Sequence, residues 1–165
     1  MKTHTLDISG EENFDFDVFS ITCTESIYRV ISDINQHLNI DLQLSELLDY
    51  RHTEGEEFYF PVYSFKHEEL NIEFNLVANE TSLQPNQVKT TEDVFDLFAG
   101  DVEQTTKLLP ELENSDFLLL VKGENRLNYN HTILKELQGI SLFIIVREIF
   151  MEDLKDKKSR SGLLF

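Results

Sequence analysis

Several carboxylates in this sequence are spaced closely enough to do chemistry together. Asp15 and Asp17 alternate with apolar residues in a short run, and Glu111 and Asp116 lie in the segment that follows Pro110. Paired carboxylates can bind a divalent cation or exchange a proton with a substrate. Neither pair has an adjacent histidine or lysine to complete a mechanism. Ligand binding or proton transfer by Glu111 and Asp116 is therefore one hypothesis, to be weighed against a structural role.

The structural interpretation of the same residues needs no ligand. Acidic side chains two apart on a strand are typical of a solvated face or of an edge protected from pairing, which fits Asp15 and Asp17. Pro110 fixes its own φ angle and is suited to open a turn. Glu111 and Asp116 can accept hydrogen bonds from backbone amides at the start of the next strand. The spacing therefore favours anchoring of a turn over catalysis.

Other residues with reactive side chains are scattered. The 6 glycines occur singly, so no phosphate-binding glycine loop is present. Cys23 has no adjacent lysine or arginine, which favours a packing role over a reactive thiol. Glu56-Glu57 and Glu68-Glu69 flank a predicted hairpin and are a candidate pair for a divalent cation. The five histidines are His4, His37, His52, His67 and His131. No two of them have the spacing by which one helix or strand presents paired imidazoles to a metal. We expect neither a metal nor a cofactor.

The formal net charge of −17 at pH 7 restricts the partners of this protein. A surface this acidic repels nucleic-acid phosphates and anionic lipid headgroups. Direct binding to nucleic acid or to a membrane is therefore not expected.

Residues 155–165 form a tail of different composition. They carry a net charge of +3, which contrasts with the acidic body. Such a tail either stays solvated, folds onto the acidic body or contacts a partner protein. The candidate partner contacts are the three apolar residues at its end, Leu163, Leu164 and Phe165.

Length and composition predict one soluble domain over residues 1–165. A chain of 165 residues with 41% hydrophobic residues can bury a substantial core. No apolar run reaches the roughly 18 residues that span a bilayer, and a single cysteine cannot form an internal disulfide. The N-terminus lacks the apolar core of a signal peptide, so we expect a cytoplasmic protein. Residues 1–13 are polar and are expected to be flexible.

Hydrophobic periodicity predicts a strand followed by a helix near the N-terminus. Apolar residues alternate with polar ones over 14–19, which is typical of a strand. Thr22 and Glu25 have the spacing of a capping box, which predicts that a helix begins there. An apolar stripe with intervals of three and four continues that helix, and Asn39 is suited to end it.

The next elements are predicted to be strands. Residues 40–48 fit a short strand or a helical turn equally well. The runs 57–65 and 70–76 alternate in hydrophobicity and predict a hairpin. Pro61 lacks a backbone N–H, so the first strand of this hairpin is expected at an edge or at a bulge.

The second half begins with a long connection. Residues 79–115 have weak periodicity and predict a connection with one short helix over 93–98. The run 117–121 is apolar without alternation, which is typical of a central strand covered on both faces. The connection or a partner subunit would have to cover the second face.

A helix from about Asn130 to Gly139 and a strand over 141–146 complete the pattern. The order of elements predicts an α+β fold. We expect a two-layer sandwich, in which two main helices cover one face of a mostly antiparallel sheet of five or six strands.

The segment 109–117 resembles the element for which the IPExxxVDY family of small bacterial proteins is named. The residues at the six named positions of this element are Leu109, Pro110, Glu111, Ser115, Asp116 and Phe117. The first, fourth and last of these differ from the residues in the family's name. The order of elements, up to the C-terminal Gly162–Phe165, is also similar to that family over nearly the whole chain. The resemblance implies membership of this family, for which no activity can be stated.

Two classes of function fit the sequence. The first is a non-catalytic cytoplasmic interaction module that binds a protein partner or a second copy of itself. The acidic body, the apolar end of the tail and the lack of a catalytic constellation favour this class. The second is a small ligand-binding protein or enzyme that uses Glu111 and Asp116. A deep cleft lined by both carboxylates and a histidine would favour the second class.

Overall fold

The computed structural model of the protein describes residues 15–51, 57–82 and 105–154. The predicted flexible start, the short helix over 93–98 and the tail with Leu163, Leu164 and Phe165 lie outside these ranges. The elements of the described ranges are β1 (Phe16–Thr22), α1 (Ile27–Leu38), β2 (Gln43–Arg51), β3 (Glu57–His67), β4 (Ile72–Ala78), β5 (Glu80–Ser82), β6 (Thr105–Lys107), β7 (Phe117–Lys122), α2 (Arg126–Gln138), β8 (Ile145–Ile149) and a 3-10 turn (Met151–Asp153).

The main sheet has six strands in the order β2-β3-β4-β7-β1-β8. Every pair of neighbours in it is antiparallel. Strands β5 and β6 form a separate small sheet. The prediction of an α+β fold with two helices and a mostly antiparallel sheet is confirmed. Neither helix of the described ranges has the length and apolar character needed to cross a membrane.

Strand β7 lies in the interior of the sheet, between β4 and β1. All residues from Phe117 to Val121 are buried, as the unbroken apolar run predicts. Leu119 is paired with Leu76 of β4 and Phe19 of β1. These three residues belong to the core beneath the helices, to which α1 and α2 contribute Val30, Ile34, Ile133 and Leu137.

The second face of the sheet also carries a core. Leu118 and Leu120 point to this face, because side chains alternate along a strand. Leu108 and Leu109 cover it from the described end of the long connection, and Met151 covers it from the 3-10 turn. The described end of the long connection therefore covers the second face of the sheet, as expected, and the 3-10 turn after β8 covers part of it as well.

The start of α1 differs from the capping-box prediction. The helix begins at Ile27 with Ser26 at the N-cap, and the Ser26 side chain makes no capping hydrogen bond. Thr22 belongs instead to β1, where it pairs with Ile145 of β8 and donates its hydroxyl hydrogen to the Asn114 carbonyl. Thr22, which was predicted to cap the helix, is therefore part of strand β1 instead. The end of α1 is as predicted, since Asn39 has a left-handed φ of 52°.

The boundaries of α2 and β8 were also predicted wrongly. The helix begins at Arg126 instead of Asn130, and Asn130 donates to Glu148 of β8 at 2.6 Å. The strand covers Ile145–Ile149 rather than 141–146. Ile140 is buried in the core beneath the helices, and a turn follows it in which the Phe143 N–H donates to the Ile140 carbonyl. Because of this turn, the strand begins at Ile145 and not at residue 141.

The hairpin of β3 and β4 is confirmed, and the ambiguous residues before it form strand β2. The prediction that β3 is an edge strand was wrong, because β3 lies between β2 and β4. Pro61 is tolerated because the ladder with β4 begins only at Val62. The register between β2 and β3 shifts at Leu44 and Glu46, so the bulge lies on β2. The missing N–H of Pro61 therefore breaks no pairing with β4.

The two aspartates of the first strand have different surroundings. Asp15 is exposed. Asp17 is mostly buried, and its Oδ1 lies 3.5 Å from Nε of the equally buried Arg126. Arg126 also donates from Nη1 to the Gly123 carbonyl. This ion pair joins β1 to the start of α2 and gives Asp17 a structural role.

Candidate functional site

The segment that resembles the family motif forms two successive turns before it enters β7. The Leu112 N–H donates to the Leu109 carbonyl at 3.0 Å, which places Pro110 at the second position of a turn. Proline favours this position because its φ is already set. The Ser115 N–H then donates to the Leu112 carbonyl at 3.0 Å. The prediction that Pro110 opens a turn is therefore confirmed.

Asn79, directly after β4, holds these turns in place. Its side chain is completely buried. The Asn79 Nδ2 group lies 3.4, 3.1 and 3.0 Å from the carbonyls of Leu109, Leu112 and Ser115, and Oδ1 accepts the Leu109 N–H at 2.8 Å. Its backbone N–H and carbonyl also bond to Asp116 and Leu108. One buried amide thus contacts four backbone groups of the segment, with the two hydrogens of Nδ2 shared among three carbonyls.

Asp116 connects the segment to the end of β1. Its Oδ2 accepts the Cys23 N–H at 2.9 Å. Its own backbone N–H donates to the Ile21 carbonyl at 2.9 Å. A carboxylate that accepts from a backbone amide makes a strong, charge-assisted hydrogen bond. Asp116 therefore anchors two strand ends to each other.

A cleft of about 510 Å³ opens beside Asp116. Among the described residues, its carboxylates come from Glu25, Glu80 and Asp116, and neither Glu111 nor a histidine lines it. Glu80 Oε2 lies 3.8 Å from Lys107 Nζ, which also donates to the Glu113 carbonyl. Hydroxyl-bearing side chains make up much of the remaining wall, namely Thr22, Thr24, Thr81, Ser82, Thr105 and Ser115.

The thiol in the described lining of the cleft is poorly suited to nucleophilic catalysis. Burial raises the pKa of the Cys23 thiol, and the charges of Asp116 and Glu25 act in the same direction. This thiol therefore stays protonated, whereas a cysteine nucleophile needs a lowered pKa. In the part of the chain that the structure describes, no three His, Cys, Asp or Glu side chains come together where a metal could bind.

The motif residues divide between the two cores and the surface. Leu109 is buried on the second face of the sheet, and Phe117 is buried beneath the helices. Glu111 and Pro110 are exposed in the turn, and Ser115 lines the cleft with Asp116. Glu111 and Asp116 thus do not line one site together. Sequence reasoning missed Asn79, whose only signal is its place after the apolar run of β4.

The anchoring role of Asp116 can be measured. Replacement by alanine is expected to destabilise the protein by about 1 kcal/mol, because the Cys23 N–H loses its acceptor. Replacement by asparagine keeps an oxygen acceptor and should cost less. Urea unfolding measures both, with Asp15→Ala as the control that removes one exposed acidic charge. Equal effects of Asp116→Ala and Asp15→Ala would contradict the anchoring role.

No protein-family model matches this chain, and no curated protein matches it in sequence.

Proposed function

We propose that the protein is a non-catalytic interaction module that adds an extended segment of a basic partner protein to strand β8. The observation that carries this proposal is the exposure of large apolar side chains at the first residue of this strand, Ile145, and at the residues that flank it, Ile144 and Phe150. Ile144 is 64% exposed, Ile145 38% and Phe150 58%. In the described part of the chain, β8 is the end strand of the sheet and pairs only with β1. Such an edge offers backbone N–H and carbonyl groups to an added strand.

The other edge of the sheet is less suited to strand addition. Leu44 and Leu47 of β2 are each 59% exposed. The register of β2 shifts between Leu44 and Glu46, however, and bulges of this kind protect an edge from pairing. The pairing of β8 with β1 has no such shift from Ile145 to Ile149. The regular strand β8 is therefore the better template for a partner strand.

The net charge indicates the kind of partner. A chain with a charge of −17 attracts basic proteins over long range and repels a second copy of itself. The proposal therefore specifies a segment of alternating apolar residues with flanking lysine or arginine. A homodimer through β8 is the competing arrangement, and it would have to overcome the repulsion between two acidic chains.

Membership of the IPExxxVDY family and a cytoplasmic location are part of this proposal. Three motif residues identical to those in the family's name, Pro110, Glu111 and Asp116, and the order of the elements support the first. The single Cys23, which is buried as a free thiol, is consistent with a reducing compartment and supports the second. Catalysis or ligand binding by the motif carboxylates is the second candidate, favoured only by the presence of Asp116 in the cleft.

A peptide selection tests strand addition. Random peptides displayed on phage and selected against the full-length protein provide the probe. We expect enriched sequences to alternate β-branched or aromatic residues and to carry flanking basic residues. The combined variant Ile144→Lys and Ile145→Lys should weaken binding of a synthetic selected peptide by about tenfold or more, because edge lysines oppose pairing. Fluorescence anisotropy of the labelled peptide measures the affinity.

The matched control places the same charge change on the opposite edge. The variant Leu44→Lys and Leu47→Lys should bind the peptide as the native protein does. All four positions are exposed, so thermal midpoints should stay near the native value. Loss of binding in the β2 variant, or full binding in the β8 variant, would refute the proposal. Selected peptides without basic residues would refute the inference that the partner segment is basic.

A further inference from the structure

A second cavity lies on the helix-covered side of the sheet, and none of its described lining residues belongs to the cleft beside Asp116. It is bounded by the end of α1, the turn between β3 and β4, and one face of α2. Its volume is about 280 Å³. Its apolar wall includes Leu70, Ile72, Phe74 and Ile133. Pockets that bind drug-sized ligands start at roughly 300 Å³, so a cavity just below that volume suits a smaller molecule.

Polar side chains on one face of α2 line part of the cavity. Tyr129, Thr132 and Glu136 line it and recur at intervals of three and four, which places them on the same side of the helix. Tyr129 also packs against the core beneath the helices. Apolar walls with a few polar groups are typical of a small-molecule site.

Two histidines that line the cavity offer opposite hydrogen-bonding groups. His67 Nδ1 accepts the Leu70 N–H at 3.4 Å, so the ring carries its proton on Nε2, which can donate. His37 Nδ1 lies 2.9 Å from the Asp33 carbonyl, which can only accept, so this ring carries its proton on Nδ1. Its Nε2 accepts a hydrogen bond when the ring carries no second proton. The two imidazoles can thus offer a ligand one donor and one acceptor.

We propose that this cavity binds a small planar aromatic molecule that is neutral or positively charged. Phe74 and Tyr129 provide aromatic surface, which attracts planar rings and cations. Glu136 is the one carboxylate among the residues described along the cavity, and the net charge of −17 further favours a cation over an anion. This site is independent of strand addition at β8.

Three probes with the same ring and different charges test the proposal: indole, tryptamine and indole-3-acetate. The protein contains no tryptophan, so indole fluorescence reports only the probe. We expect tryptamine to bind most tightly, then indole, then indole-3-acetate, with a blue shift of emission in the apolar cavity. Glu136→Gln should weaken tryptamine binding by about fivefold, the effect of an exposed charge pair, and leave indole binding unchanged.

A filling variant and its neighbour locate the site. Thr132→Phe occupies the cavity from an exposed position and should weaken binding of both indole and tryptamine by about tenfold. His131→Phe is also exposed, does not line the cavity and should bind as the native protein does. The thermal midpoint of each variant shows that it is folded. The proposal is overturned if no probe shifts, if Thr132→Phe binds normally, or if indole-3-acetate binds more tightly than tryptamine.

Discussion

Replacement of Asn79 by alanine is expected to destabilise the protein by about 3 kcal/mol or more. Asn79 is completely buried, and its amide is the shared partner of an N–H and three carbonyl groups of the motif segment. Alanine leaves the buried Leu109 N–H without its acceptor and removes a donor from the three carbonyls, of which those of Leu109 and Leu112 keep their turn hydrogen bonds. Each group left unsatisfied costs about 1 to 3 kcal/mol, and the space left by the amide adds to the loss. Urea unfolding followed by circular dichroism measures the loss.

Two further variants separate the hydrogen bonds of Asn79 from its shape. Asn79→Asp keeps an acceptor for the Leu109 N–H but directs a carboxylate at three carbonyl oxygens, so it should be at least as unstable as Asn79→Ala. Asn128 on α2 is exposed, and Asn128→Ala should change stability by less than about 0.5 kcal/mol. A loss below about 1 kcal/mol in Asn79→Ala would show that the segment is held by other contacts.

Replacement of Gly123 by alanine is the second change with a large expected effect. Gly123 joins β7 to α2 with a φ of +117°, a conformation that residues with a Cβ rarely adopt. An added Cβ would also overlap the backbone oxygen of Asn71 and lie 3.3 Å from the Ile72 Cα. Neither neighbour can turn away as a side chain could. We expect a loss of about 3 kcal/mol or more, measured by urea unfolding.

Gly139 provides the matched control for this substitution. It has an ordinary φ of −75° at the end of α2, and an added Cβ would lie 3.2 Å from the Glu136 carbonyl. Gly139→Ala should therefore change stability by less than about 1 kcal/mol. Similar losses in the two variants would show that the conformation of Gly123 is not the cause.

Local patterns in the sequence predict helices and strands well where buried residues recur at the regular spacing of a helix or a strand. The stripe of α1, its end at Asn39, the hairpin of β3 and β4, and the interior position of β7 all follow from hydrophobicity and turn chemistry. These signals depend on neighbours within a few residues. They therefore give the α+β class and the elements that position the cleft.

Long-range contacts account for what the sequence did not reveal. Thr22 has the residue type of a helix cap, yet pairing with β8 extends β1 through it. Asn79 is bonded to residues about 30 positions away in the chain, and Asp17 pairs with the distant Arg126. Such partners are fixed only when the sheet assembles, and no local spacing encodes them. The structural role of Asp116 was predicted, but its partner Cys23 was not.

Amide hydrogen exchange on the complex with a selected peptide tests strand addition at β8 most directly. Each added strand forms hydrogen bonds to backbone groups of the edge that it joins. We expect amides within Ile145–Ile149 to exchange more slowly in the complex, while those of β2 remain unchanged. Slower exchange confined to β2, or to the residues around the cleft beside Asp116, would contradict binding at β8.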